Sequence, residues 1–150
     1  MDIILEFLKE PTFFLGLIAI FISIFYGYHS KKIEQDRMEK ELFKEFNERY
    51  DKINCSLHKI SKECKDIKDL EKRPKLENKL NDFFNLCAEE YFWYKKGRID
   101  EKIWSAWEDG MNDWYSNVEV IRKAWEVEIE KRGFKSYYIN NKNDFFKKIL

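Results

Sequence analysis

The chain has 150 residues, which is enough for one small domain and an accessory segment. Its 28 basic side chains balance its 28 acidic ones, so no overall positive charge favours nucleic acid as a partner. With only 5 glycines, 2 prolines and 17% aromatic residues, the composition excludes extended disorder and predicts long helices around an aromatic core.

The first feature along the chain is a segment without charges, residues 11–30, PTFFLGLIAIFISIFYGYHS. About 20 helical residues cross a hydrocarbon core, so the segment predicts a transmembrane helix. Pro11 suits the first turn of that helix, and Tyr26 and Tyr28 suit a membrane interface. A cleaved signal peptide is a competing interpretation, but it needs a basic start and a small-residue cleavage site, and the start here is acidic. A buried helix of a soluble protein is the remaining alternative.

Basic residues are distributed unequally on the two sides of this segment. Lys9 is the only one before it, whereas a group follows closely: Lys31, Lys32, Arg37, Lys40 and Lys44. By the positive-inside rule, we expect a single-pass protein of the bacterial inner membrane, with residues 1–10 as a short external N-terminus and residues 31–150 in the cytoplasm. Residues 1–8 either lie along the outer interface or extend the span. The lipid bilayer is therefore the first predicted partner.

A long helix is predicted after the span, because no glycine or proline occurs between Ser30 and Arg73. Residues 31–45 are mostly charged and predict a juxtamembrane stalk, and residues 46–150 then form the cytoplasmic domain. Apolar residues recur in steps of four and three, which predicts a heptad seam on one face of the helix. The seam consists of Phe46, Tyr50, Ile53, Leu57, Ile60, Cys64 and Ile67.

Pro74 follows the seam and is predicted to begin the next helix. That helix carries its own apolar positions, Leu76, Leu80, Phe83, Cys87, Tyr91 and Tyr94. Two apolar seams joined by a short link predict an antiparallel hairpin. Pairing around Pro74 sets opposite one another Ile67 and Leu80, Cys64 and Phe83, Ile60 and Cys87, and Ile53 and Tyr94. A parallel dimeric coiled coil is the alternative.

Two further helices and a terminal segment complete the prediction. Gly97 ends the second helix as a C-terminal cap, and Ile99 and Asp100 supply a hydrophobic staple and an N-cap for the third. The third carries Ile103, Trp104, Trp107, Met111 and Trp114. Residues 116–119 read as a capping box for a fourth helix, which ends at Gly133. Residues 134–150 predict a turn and a short amphipathic helix with Phe145, Phe146, Ile149 and Leu150. The expected class is all-α: a transmembrane helix, a charged stalk helix and a compact three- to four-helix bundle.

The sequence holds no signature of a metal, cofactor or catalytic site. The three cysteines, Cys55, Cys64 and Cys87, form no C-x-x-C pair and have no zinc-ligand spacing with the two histidines, so we expect reduced structural thiols. The tryptophans follow helical spacing and are expected in the core. There is no phosphate-binding glycine loop, nucleophile elbow or Walker sequence.

Four polar residues form the candidate network: Arg49, His58, Glu89 and Glu90. Glu89 and Glu90 are adjacent, so on a helix they point about 100° apart and do not face each other as an acid–base pair. In the predicted hairpin register Glu89 lies opposite His58, and a contact there would raise the pKa of the histidine. Arg49 is expected to hold a carboxylate in a fork or to stack on a tyrosine or tryptophan ring. The alternative is a structural role, with a solvated pair at His58 and Glu89 and a register-fixing network at Arg49.

The stretches ELFKEFNERYDKIN (residues 41–54) and NLCAEEYFWYKKGRIDEKIWSAWEDGM (residues 85–111), followed by IRKAWE (residues 121–126), resemble a family of small uncharacterised bacterial proteins. The resemblance covers residues 40–130 and implies one N-terminal membrane helix before a single helical domain. Small anchored helical proteins of this kind occur beside phage-defence or mobile-element genes. The family has no assigned activity, so the resemblance implies no catalytic residue.

These features favour a non-enzymatic protein at the inner membrane whose cytoplasmic bundle binds a protein partner or a second copy of itself. A membrane-acting effector that oligomerises and permeabilises the membrane under stress is the second hypothesis. Gly16, Ser23 and Gly27 give the span no polar lumen face, which argues against it. An enzyme is the third hypothesis, and it would lose its activity when Arg49, Glu89 or Glu90 is changed.

Overall fold

The computed structural model describes residues 11–141 and 143–147, and it confirms the all-α class, since no strand occurs in these ranges. There are α-helices at Pro11–Glu63 (α1), Ile67–Glu71 (α2), Pro74–Lys95 (α3), Glu101–Asn117 (α4) and Glu119–Arg132 (α5), followed by a 3₁₀ helix at Phe134–Tyr137. The chain separates into two compact units, one up to Met38 and one from Glu39 onward. The predicted external segment, residues 1–10, lies outside the described residues.

The first unit is the apolar start of α1. None of its most apolar 18-residue window is buried inside the protein, and by length and composition this helix is able to cross a membrane or to serve as a signal sequence. Phe21 and Phe25 are 70% and 69% exposed. The hydroxyl of Ser23 donates a hydrogen bond to the carbonyl oxygen of Ala19 at 2.8 Å, so this polar group is satisfied within the helix.

In the second unit, the seam of α1 supplies one wall of the hydrophobic core. Phe46, Ile53, Leu57 and Ile60 are buried in α1, and Cys64 is buried just after it. The prediction of one helix continuing to Arg73 is wrong, because α1 ends at Glu63 and the short α2 follows. The cause is a local capping arrangement that competes with a continued helix. Asp66 accepts from the backbone N–H of Asp69 at 2.9 Å, and Asp69 accepts from that of Lys65 at 3.2 Å.

This interruption changes the register of the predicted hairpin. The ion pairs Arg73–Glu63 and Arg49–Glu89 show that α3 runs antiparallel to the end of α1, as expected. In the predicted register, however, Arg49 would have faced Arg98 instead of Glu89, so the predicted pairings are wrong. Residues 64–73 leave the line of α1 through α2 instead of lengthening the hairpin, and α3 therefore begins beside Glu63.

Gly97 ends α3 as predicted, with a left-handed φ of 65°. The backbone N–H of Arg98 donates to the carbonyl oxygen of Trp93 at 3.0 Å, and that of Gly97 donates to Tyr94 at 2.8 Å, which is a Schellman motif. Asp100 then caps α4 as expected, since it accepts from the backbone N–H of Lys102 at 2.8 Å.

Replacing Gly97 by alanine is expected to lower the free energy of unfolding by about 1 kcal/mol, because a side chain at positive φ is strained. Among the described residues, no atom beyond Gly97 and its two chain neighbours lies within 4 Å of the position that the alanine Cβ would take, so the cost comes from the backbone conformation. Gly110→Ala is the control, because Gly110 lies inside α4 with equally open space. Gly110→Ala should raise the free energy of unfolding by about 0.5–1 kcal/mol, because alanine favours a helix interior over glycine. Urea unfolding of the full chain in mild detergent, followed by tryptophan fluorescence, measures both; equal effects would contradict the capping role.

The boundary between α4 and α5 differs from the predicted capping box. Val118 is the N-cap of α5 and makes no side-chain cap bond, while α4 continues to Asn117. Ser116 is not a cap: its hydroxyl oxygen is buried without a hydrogen-bond partner among the described residues. Burial of Val118, with an extended backbone at φ −118°, makes the sharp connection. The predicted end of this helix at Gly133 is confirmed.

The C-terminal segment enters the core without forming the predicted amphipathic helix. Residues 143–147 are not helical, so that prediction is wrong for them, while Ile149 and Leu150 lie outside the described residues. Phe145 and Phe146 are 1% and 0% exposed. The buried side chain of Asn112 holds the segment, because it donates to the carbonyl oxygen of Phe145 at 3.1 Å and accepts from the backbone N–H of Lys147 at 2.6 Å.

Candidate functional site

Arg49 and Glu89 form a forked ion pair between α1 and α3. One guanidinium nitrogen of Arg49 donates to Glu89 at 2.6 Å and the other donates to its second oxygen at 3.0 Å. The hydrogen bond to Glu89 raises the pKa of Arg49, which burial opposes. The same guanidinium lies 5.7 Å from the ring centre of Phe46 and 3.6 Å from Glu45. Arg49 therefore makes the expected carboxylate fork, while the ring beside it is Phe46 instead of the expected tyrosine or tryptophan.

A double-mutant cycle on Arg49→Ala and Glu89→Ala should give a coupling free energy of about 1 kcal/mol, because the pair is bidentate and half-buried. The exposed pair Lys44–Glu48, at 3.7 Å on α1, is the matched control. Its coupling should be about 0.3–0.5 kcal/mol. Unfolding of the four variants of each cycle in urea gives both values. Equal couplings would mean that the fork does not fix the position of α3.

His58 does not pair with Glu89, so that predicted contact is wrong. Its exposed ring lies edge-on against Trp114, with ring centres 4.9 Å apart. The indole N–H of Trp114 in turn donates to the hydroxyl of Tyr50 at 2.9 Å. The altered hairpin register explains the change, because Glu89 reaches Arg49 instead. The four candidate residues therefore do not form one network.

Glu90 is the residue that the structure singles out. The glutamates diverge as expected, and Glu90 points inward, only 5% exposed. No hydrogen bond to its carboxyl group occurs among the described residues, although Arg49 and Glu89 lie close enough to affect it. Burial raises the pKa of Glu90 to about 8, while Arg49 lowers it and Glu89 raises it further. Glu90 is therefore mostly a neutral acid at pH 7.

A pocket of about 170 Å³ adjoins Glu90 where α1, α3 and α4 meet. Its walls are mainly apolar, with polar groups from Glu90, Asn47 and Tyr50; it is lined by Asn47, Tyr50, Phe83, Leu86, Glu90, Ala106, Trp107, Gly110 and Met111. We call this space the Glu90 pocket. The amide of Asn47 donates to the carbonyl oxygen of Phe43 at 2.7 Å, which orients its nitrogen toward its own helix.

The chemistry of the pocket is that of one buried acid among hydrogen-bond acceptors and rings. Its lining holds no serine, cysteine or histidine to act as a nucleophile or base. Within residues 11–141 and 143–147, no group of three histidine, cysteine or acidic side chains is arranged to hold a metal. Cys55, Cys64 and Cys87 are all free thiols, and burial raises the pKa of Cys87 well above its ordinary value.

Most pocket residues were not predicted as site residues. The sequence does contain a signal for the burial of Glu90. This residue stands three residues after Cys87 and four before Tyr94, on the apolar stripe of α3. A carboxylate on such a stripe is buried or paired. Tyr50 is predicted only as a position of the apolar seam, and Asn47 is not predicted as a site residue. Their position beside Glu90 depends on the hairpin register, which the sequence did not reveal.

Comparisons with protein-family models, with curated proteins and with solved structures found no match for this chain. The resemblance to a family of small anchored bacterial proteins therefore stays a prediction.

Proposed function

We propose that this protein is a non-enzymatic binding module, tethered to the bacterial inner membrane, whose cytoplasmic domain takes a small ligand in the Glu90 pocket. One observation carries the proposal: Glu90 is buried without a hydrogen-bond partner among the described residues and lines a pocket of about 170 Å³. The carboxyl group borders this pocket, so a ligand there can supply the hydrogen bonds that Glu90 lacks within the described residues.

The membrane tether is supported by residues 11–28, which are exposed apart from a half-buried Phe13 and carry no charge. Basic residues predominate on the C-terminal side, which favours a cytoplasmic domain. Fusions at the C-terminus test this part. A fluorescent protein there should fluoresce, and alkaline phosphatase there should be inactive; the opposite pair of results would overturn the orientation.

Binding at the pocket is favoured over self-association through the α1 seam. Leu57 and Ile60 are both 0% exposed within the domain of a single chain. A parallel coiled coil through this seam would have to withdraw these side chains from their own core. The apolar seam that led us to expect self-association is therefore already covered within one chain. The Glu90 pocket, by contrast, is open to a ligand.

The pocket is tested by closing it. Ala106 is exposed at its rim, so Ala106→Phe should fill the entrance and leave the core intact, and Ser105→Phe adds the same ring at a neighbouring exposed position outside the lining. Small amines, alcohols and carboxylates are screened against the full chain in detergent by thermal unfolding. We expect at least one compound to raise the melting temperature of the wild type and of Ser105→Phe, but not of Ala106→Phe. If no compound separates the two variants, the proposed function is wrong.

A further inference from the structure

We propose that the ligand of the Glu90 pocket is a small primary ammonium with an apolar body, held by the carboxylate of Glu90. This inference rests on the proposed function and names the chemical class of its ligand. Three features carry it: the position of Glu90, whose neighbouring guanidinium is already bound to Glu89, the hydrogen-bonding character of the lining, and the size and composition of the walls.

Among the described residues, Arg49 is the cation that acts on Glu90. Arg49 approaches from α1, but Glu89 already holds both of its terminal nitrogens at 2.6 and 3.0 Å. Around Glu90, α1 contributes Arg49 and the phenol of Tyr50, α3 contributes Glu89 and the thiol of Cys87, and α4 contributes no ionisable group to the lining. Glu90 thus lacks a cation of its own. A ligand that brings a positive charge would supply it, and would favour the ionised form of the acid.

The lining offers more acceptors than donors. One N–H of the Asn47 amide is engaged with Phe43, which leaves its second N–H as a donor and its side-chain oxygen as an acceptor. The hydroxyl oxygen of Tyr50 accepts from Trp114 and has a second lone pair, and its own O–H remains a donor. With the two oxygens of an ionised Glu90 added, the acceptors outnumber these two donors, so the polar lining suits a group rich in donors. A primary ammonium has three N–H donors and no acceptor.

The walls define the rest of the ligand. Phe83, Leu86 and Met111 are apolar, and Trp107 contributes an indole ring, whose face attracts cations. The volume of about 170 Å³ is close to that of engineered cavities of about 150 Å³ that hold benzene. An apolar body of that size, carrying one ammonium group, matches the pocket. Helix α4, which forms the rim, carries Glu101, Glu108, Asp109 and Asp113 against one base, Lys102. Lys147 pairs with Glu108, and the charge that remains is still acidic and favours the approach of a cation.

Benzylammonium is the test compound, and calorimetry with the full chain in detergent measures its binding. Because the acid must ionise to bind a cation, binding at pH 7 should release about one proton, seen as a dependence of the heat on the buffer's ionisation enthalpy. The affinity should rise about tenfold between pH 6.5 and 8. Glu90→Gln should weaken binding at pH 8 at least tenfold. Glu130→Gln, the same change at an exposed site on α5, should alter it less than twofold.

Matched compounds separate the failure of this inference from that of the proposed function. Benzyl alcohol lacks the charge, benzoate reverses it, and benzyltrimethylammonium keeps it without N–H donors; all three should bind at least tenfold more weakly. Tighter binding of benzyl alcohol, or benzylammonium binding that survives Glu90→Gln but not Ala106→Phe, would overturn the ammonium assignment and leave a ligand pocket. Failure of all four compounds to distinguish wild type from Ala106→Phe would overturn both. Proton release by the wild type tests the inference even if Glu90→Gln folds poorly.

Discussion

Replacing Phe146 by alanine is expected to lower the free energy of unfolding by about 3–5 kcal/mol, because it removes a fully buried ring from the centre of the core. Phe146 is 0% exposed. Its ring lies 4.8 Å from that of Tyr115, 5.2 Å from Trp125 and 6.0 Å from Phe84, measured between ring centres. These three neighbouring rings are themselves buried, so they have little room to move into the cavity that the substitution leaves.

Phe134→Ala is the matched control, because it removes the same ring from the same segment at a position that is 37% exposed. It should cost less than about 1 kcal/mol. All 5 tryptophans lie in the second unit, so their fluorescence during urea unfolding of the full chain reports on this domain alone. Similar midpoints for Phe146→Ala and Phe134→Ala would mean that residues 143–147 do not belong to the core.

Stability should fall as the pH rises from about 5 to 8, because Glu90 must then ionise inside the core. Its pKa is raised from 4.5 to about 8 in the folded chain, so the folded state binds more protons than the unfolded state between these values. Protonated Glu90 stabilises the fold below pH 4.5, and this contribution is lost progressively up to about pH 8. The full loss is about 5 kcal/mol, of which about 4 kcal/mol falls between pH 5 and pH 8.

Glu90→Gln isolates this effect, because glutamine keeps the shape of the neutral acid and does not titrate. Relative to wild type, the variant should gain about 4 kcal/mol on going from pH 5 to pH 8. Glu90→Met should also be more stable than wild type at pH 8, since it buries no charge. Glu130→Gln makes the same charge change at an exposed position and is expected to follow the wild type. Parallel pH curves for wild type and Glu90→Gln would contradict a buried acid.

Local signals in the sequence identified the helices well. Pro74, Gly97, Asp100 and Gly133 mark helix ends by backbone chemistry that acts within a few residues, and each marks an end in the structure. The end of α1 at Glu63 is not predicted, because the apolar seam continues past it to Ile67. The signal for the break is the pair Asp66 and Asp69, whose side chains accept from backbone N–H groups around the single-turn helix α2. Phe145 and Phe146 are predicted in a short amphipathic helix because the apolar pattern of residues 145–150 alone does not distinguish a terminal helix from a buried loop.

The candidate site was less predictable, because it depends on contacts between helices. The divergence of Glu89 and Glu90 follows from helix geometry, and the ability of Arg49 to hold a carboxylate follows from its side chain. Which carboxylate it holds depends on the position of α3 along α1. The predicted register is incorrect, so it gives His58 as the partner of Glu89 where the structure has Arg49. For the same reason it does not predict that Asn47, Tyr50 and Glu90 line one pocket.

The three free thiols differ in burial, so their reactivities report different extents of opening of the domain. Cys55 is exposed, Cys64 is 6% exposed beside the break after α1, and Cys87 is 0% exposed in α3, next to the wall of the pocket. A maleimide reagent should therefore modify them in this order, the last only when the core separates. The ratio of their labelling rates would report local and global opening separately. Because the reagent needs no purified protein, the same measurement applies to native membranes, where mass spectrometry of the labelled peptides would read the domain's stability in place.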